Sequence, residues 1–247
     1  MKTQVGLEHC LTFINCQLQP PAPGKPFPVR DDLQRRAVTI SRQSGAGGHV
    51  VAEKLAEYLE RHAPKQACPW TIFDRNLVEK ALEDHHLPKR LAQFMPEDRI
   101  SEIADTMHEL FGLHPPSWTL VRNTADTVLH LAELGNVILI GRGANIITSK
   151  LDYMFHVRLV GSFERRVAYI QQLERLSPKQ AREFVRREDR GRQRYLKKYF
   201  HKDIDDPLLY HLILNTDLVP HWEAALIIGQ AVIRQEFVAG RPTRGAA

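Results

Sequence analysis

Four short stretches of the chain carry residue types suited to oxyanion chemistry. The first is Ser44, Gly45, Ala46, Gly47 and Gly48, with Arg42 at its entrance. Glycines that take positive φ let backbone amides approach a ligand closely, and an anion suits such a nest. The second stretch is the charged pair Asp74 and Arg75. The third is Arg142 between Gly141 and Gly143, where the glycines weaken local structure while leaving a guanidinium free to turn toward a ligand. The fourth runs from Arg186 to Arg194 and holds Arg186, Arg187, Arg190, Arg192 and Arg194 around Glu188 and Asp189. Arginines without a single lysine favour bidentate contacts, because the planar fork matches phosphate.

Each stretch also has a plainer reading. Gly-rich turns between a strand and a helix occur for packing alone, and Asp74 suits the N-cap of a helix starting at Asn76. Arg42 can extend into solvent, and a charged run is commonly a salt-bridged helix face.

The elements that must position these residues are legible from periodicity. Ala37 to Ile40 reads as a β-strand, and Ala52, Leu55, Ala56 and Leu59 recur on one face of a helix beginning near Gly48. The helix would aim its unsatisfied amides and positive dipole end at the glycine-rich turn. Further strands are Trp70 to Phe73, Asn136 to Ile140, 154–160 and Tyr210 to Leu214. Asp74 and Arg142 follow directly on two of them, and ligands of open α/β sheets bind outside the carboxyl ends of strands. Ser162 caps a helix carrying Glu164, Arg165 and Arg166, another helix opens at Pro178, and an apolar-faced one runs from about Pro220 to Val238. Strands alternating with helices predict a parallel sheet covered on both faces. Residues 76–134 read as helices divided at Pro88, Pro96, Pro115 and Pro116, either a flap over the sheet edge or a plain crossover. Residues 1–35 read as a Pro-rich N-terminal extension, with one short packable element between Val5 and Leu18, and 239–247 as a tail.

The net charge of +5 over 247 residues would suit a polyanion, but it is no more than solubility often requires, so nucleic acid is a distant alternative. Cys10, Cys16 and Cys68 share no metal-ligand spacing, which predicts reduced thiols in a cytoplasmic protein. No apolar run approaches membrane-spanning length.

Taken in order, SGAGG, FDR, GRG, FERR, RREDRGRQR and NTD resemble the motifs of the cytidylate kinase-like family, a branch of the P-loop nucleoside monophosphate kinases, over about Ala37 to Val238. The resemblance implies an α/β P-loop NTPase domain over 36–238: a five-stranded parallel sheet covered by helices, a helical substrate insertion at 76–134 and an arginine-rich lid at 186–200. It implies that Ser44 to Gly48 and Arg42 hold the phosphates of ATP, and that Asp74, Arg75 and Arg142 face the acceptor nucleotide. Arg187, Asp189, Arg190 and Arg194 would serve catalysis from the lid, with Mg2+ held mainly by phosphates and water and by no metal-ligand set of the protein. Against the GxxxxGK[ST] pattern, Arg42 stands at the first glycine, Gly48 at the lysine and His49 or Val50 near the hydroxyl position. True cytidylate kinases also carry aspartate where Gly143 stands, whereas the GG form of the loop resembles the kinase-like branch. Two functions stay open at this point: ATP-dependent phosphoryl transfer to a nucleoside monophosphate or another small acceptor, and a pseudokinase that binds nucleotide without turnover.

Overall fold

The computed structural model describes residues 10, 12–13, 15–16, 36–63, 68–74, 97–112 and 118–234. Strands β1 (Ala37–Arg42), β2 (Thr71–Phe73), β3 (Val137–Ile140), β4 (Met154–Val160) and β5 (Leu212–Asn215) form one sheet in the order β2-β3-β1-β4-β5. Every neighbouring pair is parallel. The chain leaves β1 for β2 and β3 on one side, then crosses to β4 on the other, so a crevice opens at the carboxyl end of β1.

Near-continuous apolar strands require cover on both faces, and alternate residues supply it. Val38, Ile40, Ile138 and Ile140 pack into one layer with helix α1 (Gly48–His62). Val51, Ala52, Leu55 and Leu59 make its buried stripe, and it ends at Ala63, extended at φ −75° and ψ 157° because Pro64 follows. Ala37, Val137 and Leu139 face the opposite layer, which holds helices α2 (Glu97–Phe111) and α3 (Thr119–Leu134). Short helix α4 (Ala144–Ile147) follows β3, and α5 (Phe163–Glu174) follows β4.

Helix α6 (Pro178–Phe200) bridges two packing regions. It starts in a capping box, with the Ser177 side chain accepting from the Gln180 amide, the Gln180 side chain bonded to the Ser177 amide, and Pro178 in the first turn. Its Ala181 and Val185 form a separate small cluster with Val167 and Ile170 of α5, whereas Leu196 and Phe200 enter the α2 and α3 layer. Helix α7 (His221–Arg234) closes the α1 face with Ala224, Ala225, Ile228 and Val232.

Strand β1 runs two residues beyond the expected Ile40, because Ser41 and Arg42 continue the pairing with Arg158 and Leu159 of β4. Strand β5 starts later than the expected Tyr210, since Pro207–Leu209 form a 3-10 turn and the Tyr210 hydroxyl donates to the Ile204 carbonyl at 2.8 Å. The N-terminal segment contributes to the core directly. Phe13 is fully buried, edge-on to Phe73 at 5.9 Å between centroids, and the Cys10 thiol donates to the Ile72 carbonyl at 3.6 Å. The expectation of three reduced thiols is corrected: Cys16 and Cys68 form a disulfide across 52 positions, and Cys10 is free and buried. Packing of the segment against β2 brings that pair together, which no spacing rule could reveal. The expected helix start at Asn76, residues 76–96 of the insertion and the 239–247 tail lie outside the described residues.

His156 couples the sheet to pH. It is buried in β4, with Nδ1 at 2.9 Å from the Thr39 hydroxyl and its backbone amide donating to His211 Nδ1 at 2.9 Å. Burial first, and His211 second, push its pKa down to about 3 from 6.5. Protonation therefore favours the unfolded chain: this contribution is full above pH 6.5 and is lost as pH falls toward about 3. His156→Gln is expected to flatten the acid limb of stability over that window by on the order of a few kcal/mol, read by urea unfolding at a series of pH values.

Candidate functional site

The glycine-rich turn lies between β1 and α1 as the periodicity predicts, and its contacts are specific. The Ser44 amide donates to Asp189 Oδ1 at 2.7 Å, so a carboxylate from α6 already sits on a turn amide. Arg166 of α5 donates from Nη1 to the Ser44 carbonyl at 2.9 Å and to Asp189 Oδ2 at 2.7 Å. Arg192 Nη2 donates to Asp189 Oδ1 at 2.8 Å. Asp189 thus ties the turn, α5 and α6 into one charge-assisted network. Gly47, at φ +74°, caps α1, whose first-turn amides have no carbonyl four residues back to accept them.

The turn glycines admit protein neighbours as well as any ligand. At Gly45, φ +83°, a side chain would collide with the backbone carbonyl of Arg166, and at Gly47 with the imidazole of His221, the first residue of α7. Gly45→Ala is therefore expected to cost roughly 2–4 kcal/mol of stability, combining the left-handed backbone with a backbone collision that no rotamer change relieves. Chemical denaturation checks it. A loss below about 0.5 kcal/mol would contradict this account of the turn.

Arg42 crosses the place where the P-loop pattern carries lysine. A Cβ on Gly48 would lie 3.0 Å from Arg42 Cγ, and a Cβ on Gly141 would collide with Arg42 Nη1. The side chain therefore runs from the end of β1 over the first residue of α1 to the end of β3. Gly141 itself is at φ +80°. Burial, followed by Arg192, pulls the Arg42 pKa down to about 10, with Asp74 and Glu188 partly offsetting and Arg142 adding to the fall. The guanidinium stays charged at neutral pH, held among like charges.

A cavity of about 420 Å³ is walled by the carboxyl ends of β1 and β3 and by α6, and none of Ser44 to Gly48 lines it. Arg42, Arg142, Arg187 and Arg192 line it, with Glu188 as the acidic member. Several guanidiniums around one cavity repel each other unless an anion enters, so the field inside favours a phosphate-bearing guest. Farther along α6 the lining turns apolar, with Tyr195 and Leu196, joined by Ile204 from beyond the helix end. Arg142 reaches the cavity through a left-handed backbone, φ +56°, between Gly141 and Gly143 at φ +80° and +70°. A non-glycine residue held there costs on the order of 1 kcal/mol or more, and such strain clusters at functional sites.

The structure brings Arg42, Arg142 and Arg187 to the cavity wall and puts Asp189 at the turn. Arg190 and Arg194 are exposed and do not line it; Arg187 does line it although its side chain is 71% accessible, because α6 sets residues 187, 188, 191, 192 and 195 along the cavity side. Asp74 lies 3.9 Å from His49 Nε2, outside the lining, with its charge felt at Arg42. Arg75 lies outside the described residues. The sequence reading did not single out Arg192, Asn145 or Tyr195. Arg192 belonged to the recognised arginine run, but choosing among its members needs the rotation of α6. Among the described residues no cluster of three or more His, Cys, Asp or Glu side chains suits a metal, and none of their helices is long and apolar enough to cross a membrane.

An uncharacterized protein from Eubacterium ventriosum superposes with a TM-score of 0.61 at 20% identity, covering 80% of this chain and 98% of that one, and shares the fold. Shikimate kinase from Bacteroides thetaiotaomicron gives a TM-score of 0.41 at 13% identity, over 79% of this chain and 95% of that one. TT1252 from Thermus thermophilus gives 0.42 at 15% identity, over 81% and 96%. No curated protein matches the chain. Residues 37–218, from the first residue of β1 to just past β5, match the cytidylate kinase-like family, and the chain belongs to that family.

Proposed function

We propose that the protein transfers the terminal phosphoryl group of ATP to a nucleoside monophosphate, CMP-like in size, or to another small acceptor. The observation that carries this reading is Arg42 lying over Gly48 and ending at Gly141, a guanidinium delivered where the P-loop pattern has an ammonium. In this reading the turn amides from Ser44 to Gly48 and the first turn of α1 hold the donor phosphates. An acceptor oxygen attacks the γ-phosphorus, the bond to the β,γ-bridging oxygen breaks, and ADP leaves. Arg142 holds the acceptor phosphate. Arg187 and Arg192 neutralise charge on the transferring group, and Asp189 positions Arg192 and Arg166.

Magnesium, when bound with the nucleotide, neutralises phosphate charge. Neither His49 nor Val50 supplies a hydroxyl and Asp189 is engaged by three donors, so the ion would be carried by phosphates and water. The same engagement favours the second reading, a pseudokinase, since a carboxylate on the Ser44 amide competes with a phosphate there. Magnesium-dependent ADP release across a panel of nucleoside monophosphates decides between them. Acceptor-dependent release supports the kinase; ATP binding with release no faster than solvent hydrolysis supports the pseudokinase.

A further inference from the structure

Helix α6 holds the positive charge of the chain. Its 23 residues carry nine basic and three acidic side chains, a net +6, whereas the whole chain is +5, so the other 224 residues are net −1. The excess is therefore not spread over the length but gathered in one element, and the phosphate chemistry proposed above uses only part of it. Arg187 and Arg192 line the cavity, and Arg182 is paired with Glu164 at 2.6 Å. Lys179, Arg186, Arg190, Arg194 and Lys197 are left, all of them exposed.

Steps of seven, four, four and three residues bring these five onto one face of the helix, a stripe about 27 Å long. Glu183 is the acidic side chain on that face; Glu188 lines the cavity and Asp189 is turned to the Ser44 amide. Among the described residues Lys179, Arg190, Arg194 and Lys197 form no ion pair, and Arg186 stands over the Phe163 ring at 5.1 Å from its centroid. Like charges four residues apart, as Arg186, Arg190 and Arg194 are, destabilise a helix. The fold gives no reason for the run, and an anionic partner does.

The surroundings select the partner. None of the exposed large hydrophobic side chains among the described residues belongs to α6, whose Ala181, Val185, Leu196 and Phe200 are buried in the fold. A protein partner calls for an apolar or aromatic centre to the interface, and a membrane surface for an apolar helix face to embed. A nucleic-acid backbone calls for neither, since its interfaces are polar and strongly basic. Four-residue steps advance about 6 Å along the axis, comparable to the separation of successive phosphates on one strand, and the arginine fork matches phosphate. With no exposed aromatic side chain on the stripe there is no platform on which bases could stack.

We propose that this face of α6 binds a nucleic-acid strand, holding it by its phosphates without reading its bases. The surface lies off the cavity and is independent of phosphoryl transfer there.

Fluorescence anisotropy with a labelled oligouridylate longer than the stripe tests it. Wild type is compared with the triple variant Arg190→Gln, Arg194→Gln and Lys197→Gln, and with a control triple of equal charge, Lys54→Gln, Arg61→Gln and Arg234→Gln. The control positions are exposed on α1 and α7, which cover the sheet face opposite the layer that Leu196 and Phe200 of α6 enter. The stripe triple is expected to weaken binding roughly 10- to 100-fold at low salt and to reduce the slope of log affinity against log salt by about 2, the share of three phosphate contacts on a single strand. The control triple should change affinity by less than about threefold and leave the slope as it was. Glutamine is a good helix former and the positions are exposed, so melting temperatures should not change. If the triple does not fold, Arg190→Gln alone supplies the comparison, with the slope reduced by about 0.7. Equal losses in both triples, or no binding of oligouridylate by wild type at low salt, overturn the proposal. Polyglutamate or phosphatidylserine vesicles that bind wild type more tightly than oligouridylate, and lose that binding in the stripe triple, assign the surface to another anion and overturn it as well.

Discussion

Combining Arg42→Gly with Gly48→Lys is expected to restore the phosphate affinity that either substitution alone removes. Arg42→Gly deletes the buried guanidinium beside the turn, and ATP should weaken roughly 10- to 100-fold, with turnover falling by about a hundredfold or more. Adenosine, which carries no phosphate, should bind as before. Gly48→Lys alone meets the Arg42 stem, because its Cβ would stand 3.0 Å from Cγ, and it crowds a second cation against a guanidinium already held down by burial and Arg192. In the double variant the obstruction is gone and an ammonium starts from the residue where the P-loop pattern carries it. The quantity to read is the coupling energy of the cycle, taken from ATP affinities of the four proteins. A surrogate relation predicts coupling of about 1–3 kcal/mol in favour of the double variant. Strictly additive losses would show that Arg42 and Gly48 act independently, and equal losses for adenosine would show that Arg42 serves the fold.

Why that relation was only partly legible follows from what each residue depends on. The glycine-rich turn, its strand and its helix are contiguous, so their order is dictated by local pattern: β4 and the start of α1 fall where periodicity predicts them. Arg142 was readable because its flanking glycines mark an unusual backbone, and the backbone is left-handed at all three positions. Arg42 could be suspected from its place at the first-glycine position, but the route of its side chain over Gly48 to Gly141 depends on β3 lying beside β1. That neighbour relation joins residues about a hundred positions apart, as Ile40 with Ile140. Asn145 had no signal at all, since an asparagine in a short helix is ordinary until its surroundings are known. The Cys16 and Cys68 pair failed for the same reason, an encounter made by tertiary packing. Asp189 was nominated from the lid resemblance, but its role as acceptor for the Ser44 amide required three elements to converge.

Among the lid arginines, Arg187→Ala and Arg192→Ala are expected to reduce magnesium-dependent turnover by about a hundredfold to a thousandfold, whereas Arg190→Ala and Arg194→Ala should change it by less than about threefold. The division comes from the rotation of α6. Residues three and four apart share a face, so the arginine run offers more than one possible inward set, and the cavity lining selects 187, 188, 191, 192 and 195. Arg190 and Arg194 lie off that lining and toward solvent, where an arginine contributes little beyond a screened field; Arg187 is exposed as well and differs from them by standing on the cavity wall. Arg192 has a second duty, because it donates to Asp189, and its removal also loosens the contact at the Ser44 amide. Arg192→Lys separates the two effects. Lysine keeps the charge but loses the planar fork, so a positioning role through Asp189 predicts partial recovery of ATP affinity with kcat still low. Losses that follow Arg190 and Arg194 would mean that the helix turns in the working complex and presents its other face. If all four variants and wild type bind ATP equally and release no ADP above solvent hydrolysis, the arginines serve neither transfer nor nucleotide binding and the pseudokinase reading holds.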